Sequence, residues 1–188
     1  MKTIRQLLLA MSTLFFVGCG TETSSPIDPN RGFDMWEYMT SPLNYEVEYA
    51  VYENEAQTDY YTEVNRVFDE GNTYERKSDT GRTTLYLNGN SILMKEPTED
   101  VDIFRYVNLG DRGIFRSASI DLCVLERFYD NYTIHGSSFK NVLLVNCVSK
   151  RGVKQEYYYG YSEGIVAINQ DDGENRIEYV KVNEKRIF

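Results

Sequence analysis

Asn44-Tyr45-Glu46-Val47-Glu48-Tyr49-Ala50-Val51 sets large apolar side chains at alternate positions, with acidic ones between. Side chains two apart share one face of a strand, so Tyr45, Val47, Tyr49 and Val51 line one side while Glu46 and Glu48 line the other. The stretch is a half-buried strand with one wet face. Similar runs continue down the chain, at about 59–68, 73–79, 82–88, 91–95 and 101–108, then at 119–129, 140–149, 153–161, 164–169 and 175–182. Between them stand Asp69-Glu70-Gly71-Asn72, Asp79-Thr80-Gly81, Asn88-Gly89-Asn90, Lys150-Arg151-Gly152 and Gln170-Asp171-Asp172-Gly173. Asn, Asp and Gly accept the positive φ of tight hairpin turns. Short strands joined by short turns predict a mainly all-β chain built as a single antiparallel meander. A flat sheet of this size would leave a face and two edges bare. It is therefore expected to curve into a half-barrel, a barrel or a sandwich.

Upstream, Phe33, Trp36 and Met39 recur at every third residue until Ser41-Pro42 stops the segment. That spacing predicts one short N-terminal helix, placed to cap an opening of the curved sheet. Val142-Leu143-Leu144-Val145 is apolar at four successive positions, which predicts a strand covered on both faces.

Composition narrows the function. The 188 residues carry 29 acidic and 20 basic side chains, a formal net charge of −9. Nucleic acid is excluded as a partner, because affinity for phosphates comes from clustered Lys and Arg. Sixteen Tyr, nine Phe and one Trp exclude a disordered acidic tail.

Met1-Lys2-Thr3-Ile4-Arg5 is a short basic start, and Leu7 to Val17 is apolar except for Ser12 and Thr13. As a helix the apolar stretch would span about 16 Å, roughly half of a hydrocarbon core, so it reads as an export signal and not a membrane span. Phe16-Val17-Gly18-Cys19 then resembles the bacterial lipobox, with Phe16 where Leu is commoner. The resemblance implies that 1–18 is a lipoprotein signal peptide and that Cys19 carries acyl chains. Gly20, not Asp, follows the cysteine; by analogy with enterobacterial sorting this implies the outer membrane, facing the periplasm, with the inner membrane or the cell surface as alternatives. Residues 19–30, small, polar and broken by Pro26 and Pro29, form a flexible tether. Residues 31–188 form a single β-rich domain.

With Cys19 acylated, Cys123 and Cys147 remain as a pair in a compartment that permits disulfides. They lie in neighbouring strands joined through a turn near 131–138 and are expected to bridge, the alternative being two buried thiols. No Cys-x-x-Cys exists to lower a thiolate pKa. His135, the lone histidine, is expected to be a solvated turn residue; no metal-ligand spacing surrounds it. No metal, cofactor or catalytic residue is assigned. Asn169 to Asn175 looks like a calcium loop, but Gly173 is one position early and Val180 stands where the pattern needs Glu. A polar hairpin explains it better.

Tyrosine is the unusual residue. Tyr157-Tyr158-Tyr159 and Tyr161 occupy both faces of one strand, and Tyr45, Tyr49, Tyr52, Tyr60 and Tyr61 stud the first two. The favoured reading is a half-wet sheet with rings packed and hydroxyls in water. The other is an aromatic stripe on a concave face, able to stack sugars or line an amphiphile pocket.

Phe139-Lys140-Asn141-Val142-Leu143-Leu144-Val145, followed by Glu156-Tyr157-Tyr158-Tyr159-Gly160-Tyr161-Ser162-Glu163-Gly164-Ile165-Val166-Ala167, resembles a C-terminal block of half-barrel lipoproteins of the Lol carrier type. Ser162-Glu163 is an insertion relative to that block. The resemblance implies a curved sheet around an apolar cavity and carries over no binding residue. The functional expectation is a non-enzymatic, membrane-anchored envelope lipoprotein whose β domain binds a lipid or other amphiphile, or a protein partner. The alternatives are an assembly subunit of an outer-membrane complex and an envelope glycan hydrolase.

Overall fold

The structure is a computed structural model that describes residues 32–188. The expected signal 1–18, the lipidated Cys19 and the tether 19–30 all lie outside the described residues.

Period-two patterning sets the course of the chain. A short strand β1 (Phe33–Asp34) leads into helix α1 (Met35–Met39). The first half follows as β2 (Tyr45–Glu53), β3 (Ala56–Phe68), β4 (Thr73–Lys77), β5 (Arg82–Asn88), β6 (Ser91–Lys95), β7 (Asp100–Phe104), β8 (Tyr106–Val107) and β9 (Phe115–Arg116). The second half is β10 (Ile120–Ile134), β11 (Ser137–Ser149), β12 (Lys154–Gly160), β13 (Gly164–Asp171) and β14 (Arg176–Arg186). Twelve of these strands form one antiparallel sheet in the order β10-β11-β12-β13-β14-β2-β3-β4-β5-β6-β7-β9. β14 lies against β2, so the last strand and the first long one meet in the middle of the sheet.

The sheet curves until its two edges nearly touch. Between β9 and β10 the gap is closed by the segment 110–113: Gly110 and Gly113 donate to the carbonyls of Leu125 and Cys123, and Leu125 donates to Asp111. The outcome is a nearly closed barrel.

Inside, Val47, Tyr74, Leu85, Ile92, Val101, Ile103, Leu125, Leu143 and Val145 pack with Phe33, Met35 and Met39 from the start of the domain. Helix α1 fills one end, as its three-residue aromatic spacing predicts. Asp34 fixes it there: its carboxylate accepts from the Trp36 N–H at 3.0 Å as N-cap, and binds the Arg105 guanidinium at 2.7–3.0 Å. The Met35 N–H donates to the Arg105 carbonyl, tying the same helix start to the wall. Gly164 opens β13 at φ +74, with Met39 O and the Tyr74 hydroxyl just beyond the position of a Cβ, so the helix lies close against the β12–β13 turn.

The outer face of β11–β14 is covered too. Val142, Leu144, Tyr158, Val166, Ala167 and Val180 form a second buried cluster with Tyr129, Tyr132 and Phe139. The four apolar positions of 142–145 thus serve two cores, alternating inward and outward.

Two local expectations are corrected. The turn placed near 131–138 is a two-residue turn at His135-Gly136, and β10 runs on to Ile134. The distal hairpin folds back over the sheet, and this burial extends the strand past the point where alternation fades. His135 stands exposed in that turn, as expected, and its side chain is engaged as well. Its ring stacks on Tyr52 with centroids 3.7 Å apart, and its Nε2 lies 2.9 Å from Glu178, which Arg176 also pairs at 2.8 Å. The strand expected over 101–108 breaks at Arg105, because β8 leaves the sheet to pair with β1.

A candidate binding cleft at the open end

Cys123 and Cys147 stand directly opposite one another in β10 and β11 and are joined by a disulfide, with Cα atoms 4.1 Å apart. The Cys123 carbonyl is turned away from β11 to accept from Gly113. The pair is therefore of the narrow, non-hydrogen-bonded kind, in which opposed side chains come closest. The bridge holds the seam strand to its neighbour and takes no part in a pocket.

The end of the barrel opposite α1 is not filled. Adjacent strands β13, β14, β2 and β3 place Ile165 and Ile168, Tyr179, Tyr49, and Tyr61 and Glu63 on their inward face, and Thr80 of the β4–β5 turn stands at the rim. Together these seven residues line a cleft of about 280 Å³ with mostly apolar walls. Tyr49 faces Tyr61 across the β2–β3 ladder, and Ile168 faces Tyr179 across β13–β14. The ring centroids of Tyr49 and Tyr61 are 6.1 Å apart at 44°, and those of Tyr61 and Tyr179 are 6.1 Å apart at 72°. Hydrogen bonds hold two of the rings: the Tyr49 hydroxyl donates to the Ile165 carbonyl at 3.1 Å, and the Tyr61 hydroxyl to Glu63 Oε1 at 3.1 Å.

Glu63 is the polar feature of the lining. Its Oε2 is shielded from water and has no hydrogen-bond partner. Deeper in the barrel Arg76 lies between the fields of Glu63 and Glu96, with its Nε also unpartnered. Burial pushes the Glu96 carboxyl above the usual carboxylate range, against the opposing pull of Arg76. Burial first, and then the Glu63 charge, hold the Tyr49 hydroxyl far above its ordinary value. Tyr157 and Tyr159 continue the aromatic interior, stacked at 6.1 Å; burial lifts Tyr157 to about 12 and Tyr159 further.

A larger groove of about 600 Å³ lies at the α1 end, against Trp36, Pro42 and Phe68. Its acids Glu37, Asp69 and Glu70 are exposed, and Asp69 is engaged by the Thr73 hydroxyl at 2.9 Å. Exposed acids keep their water, whereas the Tyr74 hydroxyl in its lining is buried and has no hydrogen-bond partner. Among the described residues no group of three or more His, Cys, Asp or Glu side chains is placed to hold a metal ion. In the polar hairpin at 171–175, the Asp171 and Asp172 carboxylates accept from the Gly173, Glu174 and Asn175 N–H groups.

Tyr45, Tyr52, Tyr61 and Tyr157 are half-buried, as the half-wet sheet predicts, and the other tyrosines singled out depart from it. Tyr49, Tyr158 and Tyr159 are buried, with Tyr158 facing outward under Tyr132 at 4.4 Å, while Tyr60 and Tyr161 are exposed. Of the tyrosines singled out in sequence, Tyr49 and Tyr61 reach the cleft. Tyr179, Glu63, Ile165, Ile168 and Thr80 were not singled out. For Glu63 a signal existed: it occupies the inward frame of Tyr61-x-Glu63-x-Asn65-x-Val67, a carboxylate on the apolar face of its strand.

No protein-family model and no curated protein matches the chain. Among solved structures, the chain is similar to a LolA superfamily protein from Nitrosomonas europaea, at 14% identity and a TM-score of 0.29, over 81% of this chain and 90% of that one.

Proposed function

We propose that residues 31–188 form a non-catalytic binding domain that takes up one small apolar or amphiphilic molecule in the cleft between Tyr49, Tyr61, Ile168 and Tyr179. The observation that carries this is the apolar-walled cleft at the end of the barrel remote from α1. At about 280 Å³ the space stands at the lower end of ligand pockets. It suits one ring system or a short single chain rather than a molecule with several acyl chains.

The test is saturable binding of N-phenyl-1-naphthylamine, a neutral apolar fluorophore. The expected result is one-to-one fluorescence enhancement that Ile168→Trp abolishes by filling the cleft, with an unchanged circular dichroism spectrum. Absence of saturable binding, or full binding by Ile168→Trp, refutes the reading.

The same proposal places the domain at the bacterial envelope, anchored by acyl chains on Cys19 in the outer membrane and facing the periplasm, with 1–18 removed and 19–30 as tether. One acyl chain binds a bilayer only marginally at about 0.8 kcal/mol per buried methylene, and two or more hold firmly. Cys19→Ala should therefore move the protein from the membrane fraction to the soluble envelope fraction. Retention in the membrane fraction overturns the anchor. Residue 32 leads into β1 and α1, at the end of the barrel remote from the cleft.

A further inference from the structure

The cleft has a polarity that the reading above leaves unused. Tyr49, Tyr61 and Tyr179 set three rings around one space at mutual angles of 44° and 72°. Each ring presents electron density on its face, which attracts a cation with no hydrogen to donate. Glu63 supplies a carboxylate oxygen at the same place, buried and without a partner. Such an oxygen is costly to leave unmatched, so a positive group entering the cleft recovers what burial has taken.

No close ion pair among the described residues cancels this charge. Among the described residues no Lys, Arg or His reaches Glu63 within ion-pair distance, and Arg76 acts on it only from further off. Arg76 feels the Glu63 charge and acts in turn on Glu96. Glu63 also contributes to holding the Tyr49 and Tyr61 protons in place, as expected of an anion beside those rings. Ile165 and Ile168 complete the wall with apolar surface, which suits the methyl groups of an alkylated ammonium better than a hydrated metal ion.

We infer that the cleft is an aromatic cage for an organic cation, a quaternary or methylated ammonium group, with Tyr49, Tyr61 and Tyr179 as its walls and Glu63 as its counter-charge. This rests on the cleft being a binding site and names the head group that it selects. The ligand is then a small amphiphile whose polar end is positive.

Calorimetric titration separates the two ideas, using choline and its neutral isostere 3,3-dimethyl-1-butanol, which share a shape and differ in charge. Choline is expected to bind about tenfold or more tightly than the isostere. Glu63→Gln and, separately, Tyr179→Leu should each bring that ratio toward one; two variants at different positions guard against a single misfolded protein. Equal binding of both compounds, or no binding of choline, overturns the cage. If N-phenyl-1-naphthylamine still binds, the apolar cleft survives that failure; if it does not, the two readings fall together.

Discussion

Raising the pH from 10 to 12 is expected to unfold the domain in one cooperative step. Tyr49, Tyr74, Tyr132, Tyr157, Tyr158 and Tyr159 all have hydroxyl pKa values above the ordinary value, and burial is the largest cause in each. The unfolded chain releases these protons near pH 10, whereas the folded chain holds them to higher pH, Tyr157 to about 12. The stability they contribute is fully present below pH 10 and is lost as pH rises toward the folded values. Each group costs about 1.4 kcal/mol per pH unit in that window. Six together remove about 8 kcal/mol per unit, against a total stability of about 5–15 kcal/mol for a typical domain. Phenolate absorbance and the β-sheet circular dichroism signal should therefore change together. A smooth titration of every tyrosine near pH 10 with the sheet intact would show that the interior is wet.

Opening the Cys123–Cys147 bridge is the second large effect. The bridge closes a loop with a sequence separation of 24, worth about 3 kcal/mol on the chain-entropy account. Reduction, or the Cys123→Ala/Cys147→Ala pair, should lower the melting temperature by about 6–12 °C. The loss should begin locally. β10 is an edge strand, bonded on its far side to 110–113, so the amides of Gly110, Gly113 and Leu125 should be the first to lose hydrogen-exchange protection. A melting temperature indifferent to reductant would exclude a bridge that constrains the fold.

Much of this architecture was legible because strands signal through a local period. The alternation at 45–51 and the Asn, Asp and Gly turns located every long strand, and the apolar run 142–145 announced a strand with two covered faces. What escaped was whatever depends on elements meeting at a distance. β8 pairs with β1 across the chain, which two-residue segments cannot announce. His135 gains Tyr52 and Glu178 only because the hairpin folds back over three strands. The cleft is harder still, since it draws on four strands and a turn, and Tyr179 differs from any other strand tyrosine only by where curvature carries it. Glu63 was the readable exception, a charge in an apolar frame.

The pairing of β14 with β2 bears on how the chain is made. During vectorial synthesis the first seven strands of the large sheet can zip as successive hairpins, yet β2 keeps one bare edge until the final residues emerge. Tyr45 must wait for Arg186, and Glu53 for Ile177. A product cut short before residue 176 would not merely lose a margin; it would hold two half-sheets with sticky borders facing each other. Opening the chain at 117–119 and linking residue 188 to residue 32 would instead let each ladder of the large sheet form between consecutive strands of that sheet.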